Sequence, residues 1–232
     1  MKHLRSNPVA LSILIFLSLL FGSVGLGFFL QVNPITKPLD QGLYVLLSTH
    51  FHSRVLDLII APFNFNWVDW AGPLPTYLYS IILGTLIYLA FKERGAVKYA
   101  ALAFLIGSII SYILTYVDFK FVFRERPFVN LPNNVGEVGR QAWEKLSSFP
   151  SGHTRETTLF TTIMTNFIPK MKWIAVVFVA FIAYSRVYVG AHFPTDAIAG
   201  IIIGYFAAKS SLLLVKSMYE QNTKKTKSQT HI

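Results

Sequence analysis

The sequence predicts an all-α fold: a polytopic membrane bundle of six transmembrane helices with both termini cytoplasmic, built as a single domain over residues 1–232. Three observations predict it. Hydrophobic residues make up 53% of the chain and the mean hydropathy is +0.48. Apolar runs long enough to cross a bilayer recur along the chain, separated by polar turns. The basic residues fall in alternate turns: Lys2 and Arg5, the Lys92 to Lys98 turn, the Lys170 to Lys172 turn and the tail from Lys216 to Lys227. Six crossings put all of these on one side, and short basic loops mark that side as cytoplasmic.

The first span runs from about Val9 to Val32. Its basic prefix resembles a signal peptide, but the apolar run is too long and no small-x-small cleavage pattern follows, so the sequence predicts an uncleaved helix. Residues 33–72 mix polar and apolar character and end in Phe63-Asn64-Phe65-Asn66-Trp67-Val68-Asp69-Trp70. Indole rings favour the headgroup level, which places this region along the outer interface with a short surface helix near Leu43 to His50; the other reading is a partly buried loop whose aromatic rings pack on the bundle. A second span covers about Leu74 to Phe91, opened by Pro75, and a third covers about Tyr99 to Val117. Residues 128–149, with Pro132, Gly136 and Gly139, form a loop over one face. The fourth span, about Ser151 to Ile168, is weak in hydropathy because it holds His153, Arg155, Glu156 and several threonines; neighbours that shield it from lipid allow this. The fifth and sixth spans are about Trp173 to Tyr188 and Phe193 to Leu214, followed by the basic tail 216–232. Gly200 and Gly204 permit close helix contact, expected inside one bundle rather than between two.

The formal net charge of +10 does not indicate nucleic acid, because the cations are scattered between apolar segments with no recognition motif. The absence of cysteine excludes disulfides and thiolate chemistry. Carboxylates at metal-ligand spacing are lacking, and His50 with His52 is an ordinary interface pair, so no metal or cofactor is expected.

Three polar clusters fall on the outer side: Lys120 to Pro127, Phe149 to Thr154, and Arg186 to Asp196. Pro194 suits a helix start, with Asp196 in the first turn and His192 just outside it. One turn of separation lets the carboxylate take one imidazole nitrogen and leave the other as a nucleophile; alternatively Asp196 complements the helix dipole and His192 is an interface residue. Ser151 stands as an N-cap before the fourth span, and Gly152 admits a ligand close to the backbone, although an ordinary capped helix with a bystander His153 reads the same. Exposed helix-start amides, the guanidinium groups of Arg126 and Arg186, and the Lys120 ammonium together suit a phosphoryl group. Glu156 is placed to tune His153 or to do nothing beyond favouring a helix start, and Arg155 to meet a headgroup or to snorkel; Arg140 and Lys145 are solvated loop charges or greet an anionic lipid.

These clusters resemble the three motifs of the phosphatidic acid phosphatase type 2 superfamily, which includes membrane lipid phosphatases and soluble vanadium haloperoxidases. Ser185, Arg186, His192 and Asp196 match the third motif in full, and Pro150-Ser151-Gly152-His153 matches the second. In the first, Arg126-Pro127 fits, but Lys120 stands one residue too close, which on a helix turns it by about 100° and makes Arg124 the alternative cation. The resemblance covers about Asp118 to Gly204. It implies metal-independent hydrolysis of a lipid phosphate or diphosphate at the outer face of a membrane, in bacteria the inner one. In the implied mechanism His192 is the nucleophile that becomes phosphohistidine, Asp196 orients it, and His153 acts as acid and then base. Lys120, Arg126, Arg186, Ser151 and Gly152 hold the phosphoryl oxygens. Undecaprenyl diphosphate and phosphatidylglycerophosphate are the substrates it first implies, ahead of lipid A. Transfer to another lipid acceptor and non-catalytic lipid-phosphate binding or transport are the competing readings. The membrane segments disfavour the haloperoxidase branch.

Overall fold

A computed structural model describes residues 7–60, 85, 89, 92, 95–131 and 147–229, with side chains through residue 220. Among the described residues the regular elements are all helices, without strands. Helix α1 is Pro8–Val32, α2 is Thr36–Val45 and runs on as a π turn over Leu46–His50, and α3 is Arg54–Ile60. Helix α4 is Ala96–Phe121 and α5 the short Pro127–Asn130. Helix α6 is Gly152–Phe167, α7 is Lys172–Tyr188 behind a 3-10 turn over Pro169–Met171, and α8 is Pro194–Gln229.

Four stretches are long and apolar enough to cross a membrane: Pro8–Val32, Ala96–Phe121, Pro169–Tyr188 and Pro194–Glu220. They coincide with four of the six expected spans. The second expected span, Leu74 to Phe91, apart from residues 85 and 89, and the aromatic run Phe63 to Trp70 lie outside the described residues, as do Arg140 and Lys145. The surface helix expected near Leu43 to His50 starts earlier, at Thr36.

Helix α1 begins where the Asn7 side chain accepts from the amides of Val9 and Ala10, with Pro8 in the first turn. Its large apolar side chains, Phe21 and Ile13 among them, stay exposed, as suits a helix solvated by lipid. Helix α8 is the axis of the bundle and packs on α6, α1 and α4. At about 1.5 Å per residue it reaches roughly 50 Å, well past a hydrocarbon core of about 30 Å, so the basic segment expected as a tail continues the helix to Gln229.

Helix α6 explains its own weak hydropathy. At 16 residues it is short for a span, and Thr154, Thr158 and Thr161 are buried among its neighbours. The hydroxyls of Thr158, Thr161 and Thr165 donate to carbonyls one turn back, at 2.7, 2.8 and 2.8 Å, so none needs water. The close approach of α6 and α8 depends on glycine. A methyl group on Gly200 would stand 2.6 Å from the Ser151 carbonyl oxygen, and one on Gly204 would strike the Arg155 carbonyl. This pair therefore works inside one bundle, where α8 backbone lies directly on the first turns of α6.

Candidate active site

The C-terminal ends of α1, α4 and α7 and the N-terminal ends of α6 and α8 meet at one end of the bundle. Backbone hydrogen bonds tie these ends together. The Ser151 amide donates to the Asp196 carbonyl at 3.0 Å, the Ser148 amide to Arg124 at 2.8 Å, and the Phe128 amide to Gly190 at 3.2 Å. Gly190 takes φ +77°, a left-handed turn that ends α7, and the amides of Ala191 and His192 then fold back onto the Arg186 carbonyl at 3.1 and 3.2 Å.

His192 is 4% exposed. Its Nδ1 lies 2.6 Å from the Ser148 carbonyl oxygen. A carbonyl oxygen only accepts, so Nδ1 carries the proton and the lone pair falls on Nε2. Burial holds the His192 pKa well below its ordinary value; the charge of Arg126 acts in the same direction, the Ser148 bond opposes it, and Arg186 and His153 lower it further. The ring is therefore neutral at neutral pH, with a lone pair on Nε2. That nitrogen stands 3.4 Å from Arg126 Nη1. Arg126 is fixed by donating to the Ala191 carbonyl at 2.8 Å and the Ser147 carbonyl at 3.2 Å. Its burial lowers its pKa to about 10, against the opposing pull of Asp196, so it remains a cation at neutral pH.

Asp196 departs from the expected arrangement. The imidazole partner is the Ser148 carbonyl, while the Asp196 carboxylate accepts from the Ser148 hydroxyl, from the Phe193 amide at 2.9 Å and from Arg124 Nη1 at 2.5 Å. The Phe193 contact is the returning half of a capping box, which pins the start of α8. Asp196 thus reaches His192 through Ser148, holding the segment whose carbonyl sets the tautomer.

The first cluster differs more. Lys120 is exposed on the last turn of α4, its ammonium 5.8 Å from the ring of Phe121, and the structure does not draw it into the group around His192. Arg124 is buried instead, but it is engaged by carboxylates: Nη2 meets Asp40 at 2.6 Å and Nη1 meets Asp196 at 2.5 Å. Asp40 also accepts from the Thr195 amide at 3.1 Å and from its hydroxyl, clasping α2 to the start of α8. Arg124 therefore braces the site rather than offering a vacant fork to an anion.

Ser151 occupies the N-cap of α6 as expected, fully buried, but its hydroxyl pairs with Thr154 Oγ1 at 3.0 Å and not with a first-turn amide. Gly152 and His153 follow in the first turn, where helix amides have no intrahelical partner. Arg186 is 1% exposed, with Nε 3.4 Å from the Ser185 hydroxyl. Arg155 does not snorkel: it is 5% exposed and donates through Nε and Nη2 to Glu156, which also accepts from Ser111. His52 lies 3.3 Å from Asp57 and stacks on Tyr188, consistent with a structural pair.

Sequence reasoning missed Asp40 and Ser148. Asp40 lies 84 positions from Arg124, and no local pattern announces the pairing. Ser148 had a faint signal, a Ser-Ser step directly before Phe149-Pro150-Ser151.

A family model described as the PAP2 superfamily matches residues 97–220. An undecaprenyl-diphosphatase, BcrC of Bacillus subtilis, is 32% identical over 146 residues, covering 59% of this chain and 72% of the relative. An undecaprenyl-diphosphatase of Sulfolobus acidocaldarius is 30% identical over 150 residues, covering 61% and 69%. The crystal structure of a transmembrane PAP2-type phosphatidylglycerolphosphate phosphatase from Bacillus subtilis superposes with a TM-score of 0.53 at 21% identity, covering 93% of this chain and 96% of that one.

Proposed function

Because this chain belongs to the PAP2 superfamily, among its integral-membrane lipid phosphatases, we propose that it cleaves the terminal phosphate from a polyprenyl diphosphate at the extracytoplasmic face of the membrane. The observation that carries the proposal is His192: a buried, neutral imidazole with Nδ1 protonated against Ser148 and Nε2 turned toward Arg126. The undecaprenyl-diphosphatase relatives favour a prenyl diphosphate over phosphatidylglycerophosphate or lipid A. In a bacterial cell the membrane is the inner one. The site end of the bundle lies opposite the basic ends of α4, α7 and α8, which favours an outward-facing site.

In this mechanism Nε2 attacks the terminal phosphorus in line. A nitrogen–phosphorus bond forms as the bond to the bridging oxygen breaks, and His153 gives its proton to the departing prenyl phosphate. Water, deprotonated by His153, then attacks the phosphohistidine and releases inorganic phosphate. Arg126, Arg186 and the amides of Gly152 and His153 stabilise charge on the equatorial oxygens, a role in which losing one donor costs on the order of a hundredfold in rate. Asp196 and Ser148 position the nucleophile. Lys120 is assigned no contact with phosphate in this reading, and no step requires a metal.

The test is phosphate release from a prenyl diphosphate by purified protein in detergent with chelator present. Activity in the parent, its loss in His192→Ala, and an acid-labile, base-stable phosphoryl adduct trapped at short times are expected. Undiminished turnover by His192→Ala refutes the assignment. A silent parent protein that still binds the lipid would return the chain to a binding or transport role.

A further inference from the structure

A cavity of about 250 Å³ is lined in part by Arg126, the residue whose Nη1 stands 3.4 Å from His192 Nε2, and by Phe193, the next residue along from His192. Its far wall is built from Gln31 at the end of α1 and Lys37 and Gln41 on α2, and Glu125 and Phe123 complete the near side. Placement of Lys37 follows from helix periodicity. Asp40, one turn on, is clasped by Arg124 and the Thr195 amide, which fixes the rotation of α2 and leaves Lys37 and Gln41 facing the same space. The opposite side of α2 presents Leu39 and Leu43, in line with Ile35 at its N-cap, all exposed and apolar. A helix with such faces lies in the interface, at the depth where a lipid carries its phosphates. Glu125 keeps its negative charge in this lining, but its carboxylate is held by the Asn130 amide, which donates to it at 2.9 Å, and the Arg126 cation stands in the same wall. Gln31 is already committed as a donor to the Phe123 carbonyl.

Resting on the phosphatase reading, we infer that Lys37 and Gln41 form a second phosphate subsite that holds the leaving, lipid-linked phosphate of a diphosphate while Arg126 and Arg186 hold the phosphoryl group under attack. As the bridging bond breaks, the negative charge gained by the leaving phosphate develops beside its ammonium. A monophosphate places no charged group there. The subsite therefore selects diphosphates without taking part in attack.

The experiment compares a short-chain prenyl diphosphate with the matching prenyl monophosphate, for the parent protein, Lys37→Gln and Lys37→Arg. Loss of one charge-assisted bond predicts about a tenfold fall in kcat/KM on the diphosphate, less than a twofold change on the monophosphate, and recovery of most of the loss in Lys37→Arg. Equal effects on both substrates, or none on the diphosphate, overturn the inference while leaving the phosphatase reading intact. A parent protein that turns over neither substrate overturns that reading. In that event protection from thermal unfolding by inorganic diphosphate still decides the subsite: Lys37→Gln must weaken diphosphate protection about tenfold and leave orthophosphate protection unchanged, and equal protection counts against it.

Discussion

Replacing Arg124 by glutamine separates its two possible roles. The guanidinium is 7% exposed, and its partners Asp40 and Asp196 are 1% and 0% exposed, at 2.6 and 2.5 Å. Removing the cation leaves two desolvated carboxylates facing each other across the gap. Breaking a buried ion pair from one side costs roughly 3–5 kcal/mol, and for a chain of this length each kcal/mol lowers the unfolding midpoint by about 2–4 °C. A fall on the order of 10 °C is therefore expected in detergent, read by intrinsic fluorescence of the tryptophans. Asp40→Asn alone should cost less, because the amide oxygen still accepts from the Thr195 amide. The double variant should lose about 1–2 kcal/mol less than the two single losses combined, since Arg124 and Asp40 share one interaction. Bound phosphate analogue should protect Arg124→Gln and the parent to the same extent. A variant that keeps its unfolding midpoint but shows a much larger KM would refute the brace and make Arg124 a substrate ligand.

Arg126→Gln tests the electrostatics of His192 in its proposed role as nucleophile. Arg126 disfavours a proton on His192, so removing it raises the His192 pKa and moves the acid limb of kcat/KM to higher pH, on top of a rate loss on the order of a hundredfold; an unmoved limb would show that the limb belongs to another group. Gly204→Ala forces a methyl group into the Arg155 carbonyl and should cost about 1–3 kcal/mol together with much of the activity. Gly22→Ala, with no atom within 4 Å of the added carbon, serves as the matched control and should leave thermal stability and turnover unchanged.

What the sequence made legible and what it hid divide along a physical line. Apolar length is a local property, so the spans of α1, α4, α7 and α8 could be read directly, and even the polar α6 could be placed because its threonines imply shielding by neighbours. Pro150 to His153 and Ser185 to Asp196 were legible for the same reason: each is a continuous stretch at a helix end. The partners of those stretches were not. Spacing put Asp196 one turn from His192 and invited a direct bond, but the capping geometry at Phe193 turns the carboxylate toward Ser148 and Arg124. Asp40 and Lys37 sit in a stretch with no motif, and only tertiary packing of α2 carries them to residues more than eighty positions away.

The glycine seam between α6 and α8 has a consequence for life in a fluid medium. His153 and His192 ride at the starts of two helices whose backbones touch and share the Ser151–Asp196 hydrogen bond. When lipids of another thickness tilt the protein, the touching first turns of such a pair should tilt together and carry the residues beside them along. The chemistry is in this way insulated from the solvent that the rest of the molecule must follow.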